Sequence, residues 1–215
     1  MATLEPRTIT LHDGAALTLR SPTPDDAPPV LDYLMLMRAE SWGVMTSPQD
    51  PVMSVDGEGR WLLEHMEKPG SLQVSAWTLA GEVIALAGVR QDDKPYRATH
   101  RGNLGISIRR PWWGRGLGRL LMQELIAFAR EREGFEVLQL GAFPFNAKAL
   151  RLYESLGFER EGVSRRAVRF EDGTYADEVH MSLWVGAGDP PAVRDHDPVI
   201  AAYEAAQRVN AEPTP

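Results

Sequence analysis

Between Lys94 and Gln123 the chain holds no acidic residue, while Lys94, Arg97, Arg101, Arg109, Arg110, Arg115 and Arg119 are all cationic. The whole chain carries 23 Lys and Arg against 30 Asp and Glu, a net charge of −7, so this stretch is a local island of positive charge. Inside it, Gly114-Arg115-Gly116-Leu117-Gly118 joins a strand-like run to an apolar helical one. Glycines at such a junction let a ligand approach the backbone, and the first N–H groups of the helix lack internal partners and add to the helix dipole. Phosphate binding is the chemistry this pattern offers. A tight turn flanked by solvated arginines is the plain structural alternative, and these residues alone leave both open.

Spacing removes two kinds of phosphate loop. A dinucleotide loop needs a third glycine five positions after the first, but that position is Arg119 counting from Gly114 and Leu121 counting from Gly116. A triphosphate loop needs Gly-Lys followed by Ser or Thr, and the three lysines, Lys68, Lys94 and Lys148, lie elsewhere. The five histidines (His12, His65, His100, His180, His196) are scattered without ligand spacing, so no metal site is expected. The chain has no cysteine, which excludes disulfides, thiol nucleophiles and thiolate zinc sites. Downstream, Asn146, Ala149 and Tyr153 fall at offsets 0, 3 and 7 and share one stripe of a helix. The Tyr153 phenol could donate a proton there, or be an amphipathic core residue with a satisfied hydroxyl.

Several elements must position these groups. Residues 8–11 and 17–20 read as an opening hairpin around His12-Asp13-Gly14. Thr23, Pro24 and Asp26 start a helix with Val30, Leu31, Leu34 and Met37, although Pro28 and Pro29 blur its beginning. Residues 41–59 have loop composition and precede a short helix at 61–66. Strands are expected at 72–79, 83–90 and 104–108, and in the last of these Leu104, Ile106 and Ile108 alternate with Gly105 and Ser107, one apolar face and one thin face. A helix over 116–132 is the clearest in the chain, followed by a strand at 137–143 and a helix capped by Asn146 and stopped at Gly157. Residues 165–171 and 174–184 flank Asp172-Gly173, a strong hairpin signal. Residues 1–185 therefore read as one domain, with 186–215 a loosely attached tail holding one short helix at 199–209.

With 43% hydrophobic and 25% charged residues, the composition is that of a globular domain, not a fibrous or disordered chain. Its negative balance argues against nucleic acid and anionic lipid as partners, and no uncharged stretch approaches the ~20 residues of a membrane helix. The N-terminus lacks an apolar leader segment, so a cytoplasmic location is the expectation.

The two glycine-bearing motifs together resemble the GNAT superfamily of N-acetyltransferases. Its acetyl-CoA signature, Gln or Arg, two residues, Gly, one residue, Gly or Ala, maps onto Trp113, Gly116 and Gly118. Trp113 in the first slot departs from it, as in the subgroup that includes the ribosomal-protein N-acetyltransferases. The second part is similar in spacing: Asn146, Ala149, Tyr153, then Leu156-Gly157-Phe158, Glu161-Gly162, and an ending from Asp172 to Met181. The resemblance covers about residues 7–185. It implies a mixed α+β fold, a central and mostly antiparallel sheet with helices on both faces, splayed between the strands at 104–109 and 137–143.

The same resemblance implies acetyl-CoA as cosubstrate, held by Trp113, Gly114, Arg115, Gly116, Leu117, Gly118 and Arg119, by the strand Ile106, Ser107 and Ile108, and by Asn146, Ala149 and Tyr153. An acceptor amine with a pKa near ~10.4 is almost wholly protonated at neutral pH, a handicap of roughly 4 to 5 kcal/mol that a base or a desolvated pocket must offset. Backbone N–H groups near 106–108 would polarise the thioester carbonyl, with room beside Ser107 for the pantetheine arm, and Tyr153 would protonate the departing thiolate. Glu40, beside Ser41 and Trp42, is the first choice of general base, with His100 and Asp177 as the others. The expected reaction is direct acetyl transfer to a small-molecule amine or a peptide N-terminus. A non-catalytic acyl-CoA sensor is the alternative, and a homodimer is compatible with one chain.

Overall fold

The computed structural model describes residues 3–40, 43–93, 95–132 and 134–192. Eight strands form one sheet in the order β1-β2-β3-β4-β5-β6-β8-β7. It opens with the expected hairpin, β1 (Arg7–Thr10) and β2 (Ala16–Arg20). Asp26 reaches back to the N–H of Thr23 (2.7 Å), and the short 3₁₀ turn Pro24–Asp26 runs into α1 (Ala27–Glu40). Pro28 and Pro29 thus fall in the first turn of α1, where a missing N–H costs no helix bond.

The following loop is shorter than its composition implied. Ser54 accepts the N–H of Gly57 (3.1 Å) and starts α2 (Val55–Glu67) six residues before the expected 61. Gly57 and Gly59 disguise this first turn, and the Ser54 cap with burial of Leu62 outweighs their poor helix propensity. Then come β3 (Ser71–Thr78), β4 (Val83–Gln91), β5 (Arg101–Ile108), α3 (Leu117–Arg130), β6 (Val137–Ala142), α4 (Ala147–Ser155), β7 (Glu159–Arg169) and β8 (Tyr175–Trp184). β7 also begins earlier than the hairpin signal predicted, because its first half is an exposed edge without alternation.

Helices cover both faces. Leu117, Leu121 and Leu125 of α3 pack with Val74, Ala85, Ala87 and Val89, while Val30, Tyr33 and Met37 of α1 pack with Trp77, Val83 and Leu86 on the other side. All strand pairs are antiparallel except β5–β6, which are parallel and register over three pairs only, Arg101 with Val137, Gly102 with Leu138 and Asn103 with Gln139. Beyond Asn103 the two strands part, so the sheet is splayed where the resemblance placed the splay. Val185 closes the core after β8. Residues 193–215, with the helix expected at 199–209, lie outside the described residues, as do Ser41, Trp42 and Lys94. Among the described residues no helix is long and apolar enough to cross a membrane.

Candidate active site

The glycine turn delivers main-chain amides to one place. Gly116 caps α3 with φ 90° and Gly114 turns the chain with φ 75°, both left-handed and costly for any residue with a Cβ. A Cβ on Gly116 would also stand 2.7 Å from the His12 ring. No side chain caps α3, and Leu120 N–H to Gly116 O (3.2 Å) is its first internal bond, so the N–H groups of Leu117, Gly118 and Arg119 are left over. They border a cavity of about 370 Å³ lined by Gly114, Gly116, Gly118 and Arg119 and, across from them, Lys148 and Arg151 of α4. Free amides, left-handed glycines and three cations fit a diphosphate.

Much of the predicted cationic island is engaged elsewhere. Arg115 is ion-paired with Asp13, lies over the Trp112 ring and is not among the cavity-lining residues. Arg109 pairs with Glu40 and Arg101 with Asp92. Leu117 sends its side chain into the core and can contribute only its main chain. Lys148 and Arg151, by contrast, lie outside the 94–119 island, three apart on α4, the helix that carries Tyr153, and line the cavity. Trp113 lines the cavity and its indole N–H donates to Ile108 O (2.6 Å), so it fastens the glycine turn to the end of β5.

The edge of β5 supplies further donors. Arg101 O accepts from Asp92 N–H and Arg109 N–H donates to Ile84 O, so odd-numbered residues of this segment aim their main chain at β4. Ile106 and Ile108 therefore aim theirs into the gap left by β6, past the last parallel pair at Asn103 and Gln139. The Ser107 side chain is on neither edge. It accepts the hydroxyl of Tyr33 (2.8 Å), so the thin face expected to make room for a pantetheine arm is covered by α1, and the room lies along the strand edge instead. Burial pushes the Tyr33 phenol well above its ordinary range.

Asn146 caps α4 by accepting the N–H of Ala149 (3.3 Å), which sets Asn146, Ala149 and Tyr153 on one wall of the cavity. Tyr153 is buried, and desolvation pushes its phenol up to about 12. A second cavity of about 640 Å³ lies between β5, β6, α1 and α2. The two cavities share Ile106, Ser107, Asn146 and Tyr153, together with Met37, Gly43 and Val44. A group held at that seam can be reached from both.

The expected bases are not at the seam. Glu40 lines neither cavity; its Oε1 takes Arg109 Nη2 at 2.8 Å, and the guanidinium holds its carboxyl below the usual carboxylate range. Such a paired anion is a poor proton acceptor, and here the Glu40 carboxylate is bound to Arg109. His100 lines neither cavity, and Asp177 accepts the Arg166 N–H (2.8 Å) outside both. The second cavity contains one carboxylate among its lining residues, Glu178, which the sequence reading passed over in favour of its neighbour Asp177.

Known proteins resemble this chain in sequence and in fold. Over 122 residues the chain is 28% identical to the L-amino acid N-acetyltransferase AaaT of Escherichia coli (strain K12), covering 57% of this chain and 74% of that one. Over 64 residues it is 42% identical to the N-alpha-acetyltransferase RimI of Mycobacterium tuberculosis, covering 30% of this chain and 38% of that one. The structure of yncA from Salmonella typhimurium, solved with its cofactor acetyl-CoA, superposes with a TM-score of 0.69 at 20% identity, covering 83% of this chain and 99% of that one, a likeness of fold. The pattern of the Acetyltransferase (GNAT) family matches residues 37–158, more than half of the chain, and spans both the glycine turn and Tyr153. This chain belongs to the GNAT acetyltransferase family.

Proposed function

We propose that the protein moves an acetyl group from acetyl-CoA directly onto the nitrogen of a primary amine, on a small molecule or a peptide N-terminus, in the cytoplasm where the thioester is at hand. The observation that carries this reading is the seam, where a cavity floored by phosphate-binding amides meets a second cavity at Ile106 and Tyr153. The diphosphate of the cosubstrate sits against the amides of 117–119 with Arg119, Lys148 and Arg151, and its arm pairs along the even-numbered edge of β5. The acceptor nitrogen enters from the second cavity and attacks the thioester carbonyl carbon. The Ile106 N–H, lacking a strand partner, donates to the oxyanion that forms.

Collapse breaks the carbon–sulfur bond, and the thiolate takes the phenolic proton of Tyr153. A thiol near ~8.5 in water is a weak base toward a phenol at about 12, but the burial that raises Tyr153 also raises the thiolate beside it. The phenolate regains its proton from the nitrogen, which must lose one to become an amide. Because burial keeps Tyr153 protonated far above neutrality, it is poised as an acid throughout the working range.

Incubating the protein with acetyl-CoA and a panel of amines, amino acids and short peptides is expected to release free thiol with some of them. Tyr153→Phe should then lower kcat by about 100-fold or more while leaving the Kd for coenzyme A within twofold. Absence of thiol release with every acceptor, or indifference to Tyr153→Phe, would favour an acyl-CoA sensor.

A further inference from the structure

Gly141 of β6 pairs with His180 of β8, so 178, 180 and 182 share the face on which a side chain at 141 would stand. That side chain is missing, and Glu178 fills its place: a Cβ built on Gly141 would overlap the Glu178 carboxylate. The neighbouring strand thereby extends an acid across a glycine to the wall of the second cavity, which also contains Tyr153. Its side chain is 22% exposed. Among the described residues no main-chain or side-chain donor is hydrogen-bonded to this carboxylate, in contrast to Glu40 and Asp177. On its far side the carboxylate borders a smaller cavity with His180 and Glu161, where His180 Nε2 lies 3.8 Å from Glu178 Oε2 and 2.7 Å from Ser164 Oγ. The charged or titratable groups sharing these two spaces with it are His180 and Glu161 on the β7–β8 hairpin, Tyr153 on α4, and Arg90 and His65 at the other end of the acceptor cavity.

We infer that Glu178 is the general base of the reaction, the carboxylate that receives the acceptor's ammonium group and removes its proton before attack. The inference rests on the transfer reaction proposed above. The ammonium proton passes to Glu178, directly or through one water, and the freed lone pair forms the bond to the carbonyl carbon. The carbon–sulfur bond breaks, the thiolate takes the Tyr153 proton, and the proton left on the new amide nitrogen returns to the phenolate. The proton on Glu178 departs past His180 to solvent. One ammonium ion and one thioester thus become one amide, one thiol and one released proton.

The test separates proton removal from mere support of the glycine gap. Glu178→Gln keeps the shape and the packing over Gly141. With an alkylamine acceptor it is expected to lower kcat/KM about 100-fold at pH 7 and to leave a residual activity that rises about tenfold per pH unit toward the acceptor's own pKa, with coenzyme A affinity unchanged. With an acceptor whose nitrogen is already neutral at pH 7, such as an alkoxyamine or an aryl amine, the loss should stay below about fivefold, since no proton need be removed. Gly141→Ala, which drives a methyl group into the carboxylate, should show the same selectivity with a smaller loss. Equal losses for both acceptors, or none in Glu178→Gln, would overturn the role of Glu178. Thiol release by the unaltered protein is read in the same assay, so the transfer reaction can stand while this assignment falls.

Discussion

The two cavities are built by different means. The one proposed for the cosubstrate gathers the end of β5, the glycine turn with the start of α3 and the first turns of α4, together with Met37, Gly43 and Val44, and its phosphate cradle is main chain. The acceptor cavity draws on α1, the 43–46 loop, α2, β3, β4, β5, α3, β6, α4 and β8, each contributing one to five residues. Amides have the same chemistry whatever residue carries them, so the first cavity suits a ligand that never changes. Side chains on many elements can be exchanged one at a time, so the second suits a ligand that differs among relatives.

The largest effect expected from breaking this division is at Gly116. Valine there would have to adopt φ 90° and push against His12, so the turn would rearrange and misdirect the amides of 117–119. Gly116→Val should weaken coenzyme A binding at least about 100-fold by calorimetry, a loss of roughly 2.7 kcal/mol. No single truncation in the acceptor cavity away from the seam, such as Arg90→Ala, should move that affinity more than about twofold, since none of those side chains borders the phosphate cradle. A comparable loss from Arg90→Ala would erase the distinction.

The same division explains what could be read before folding was known. The glycine turn, the splay and the Asn146–Tyr153 stripe are local in sequence, and spacing plus resemblance found them. Where a side chain's role depends on a distant partner, spacing was blind. Arg115 looked like a phosphate ligand until Asp13, about a hundred residues earlier, was seen to hold it. Glu40 ends α1 in sequence, but its pairing with Arg109 of a distant strand end cannot be read from spacing. Glu178 was invisible because its meaning lies in the absence of a side chain at Gly141 on another strand. The elements misjudged, the start of α2 and the first half of β7, are likewise those whose structure follows from tertiary packing or edge pairing more than from pattern.

A finer test compares cations that sequence and structure rank differently. Lys148 and Arg151 face the phosphate cavity, whereas Arg115 is occupied by Asp13. Replacing both Lys148 and Arg151 with alanine should weaken coenzyme A binding about tenfold at low salt, and the difference should shrink as salt screens it. Arg115→Gln should cost about threefold or less and depend little on salt. The reverse order would restore the continuous island as the binding element.

The smallest effect is a response to alkaline pH that belongs to the seam and the acceptor side rather than to the cradle. Amides do not titrate there, but Tyr153 and Tyr33 are both held above the ordinary 10 by burial, Tyr153 to about 12 and Tyr33 further. Below pH 10 the folded and unfolded chains both keep these protons, and stability does not depend on them. From pH 10 upward the unfolded chain loses them while the folded chain keeps them, so deprotonation favours unfolding, up to pH 12 for Tyr153. At pH 10.5 each tyrosine should already cost about 0.8 kcal/mol relative to neutrality. Urea melts of Tyr153→Phe and Tyr33→Phe should therefore lose less stability between pH 9 and 10.5 than the parent, each by that amount. Parent and variants falling in parallel would mean that water reaches both phenols, and that the seam is wetter than an acid poised against a thiolate requires.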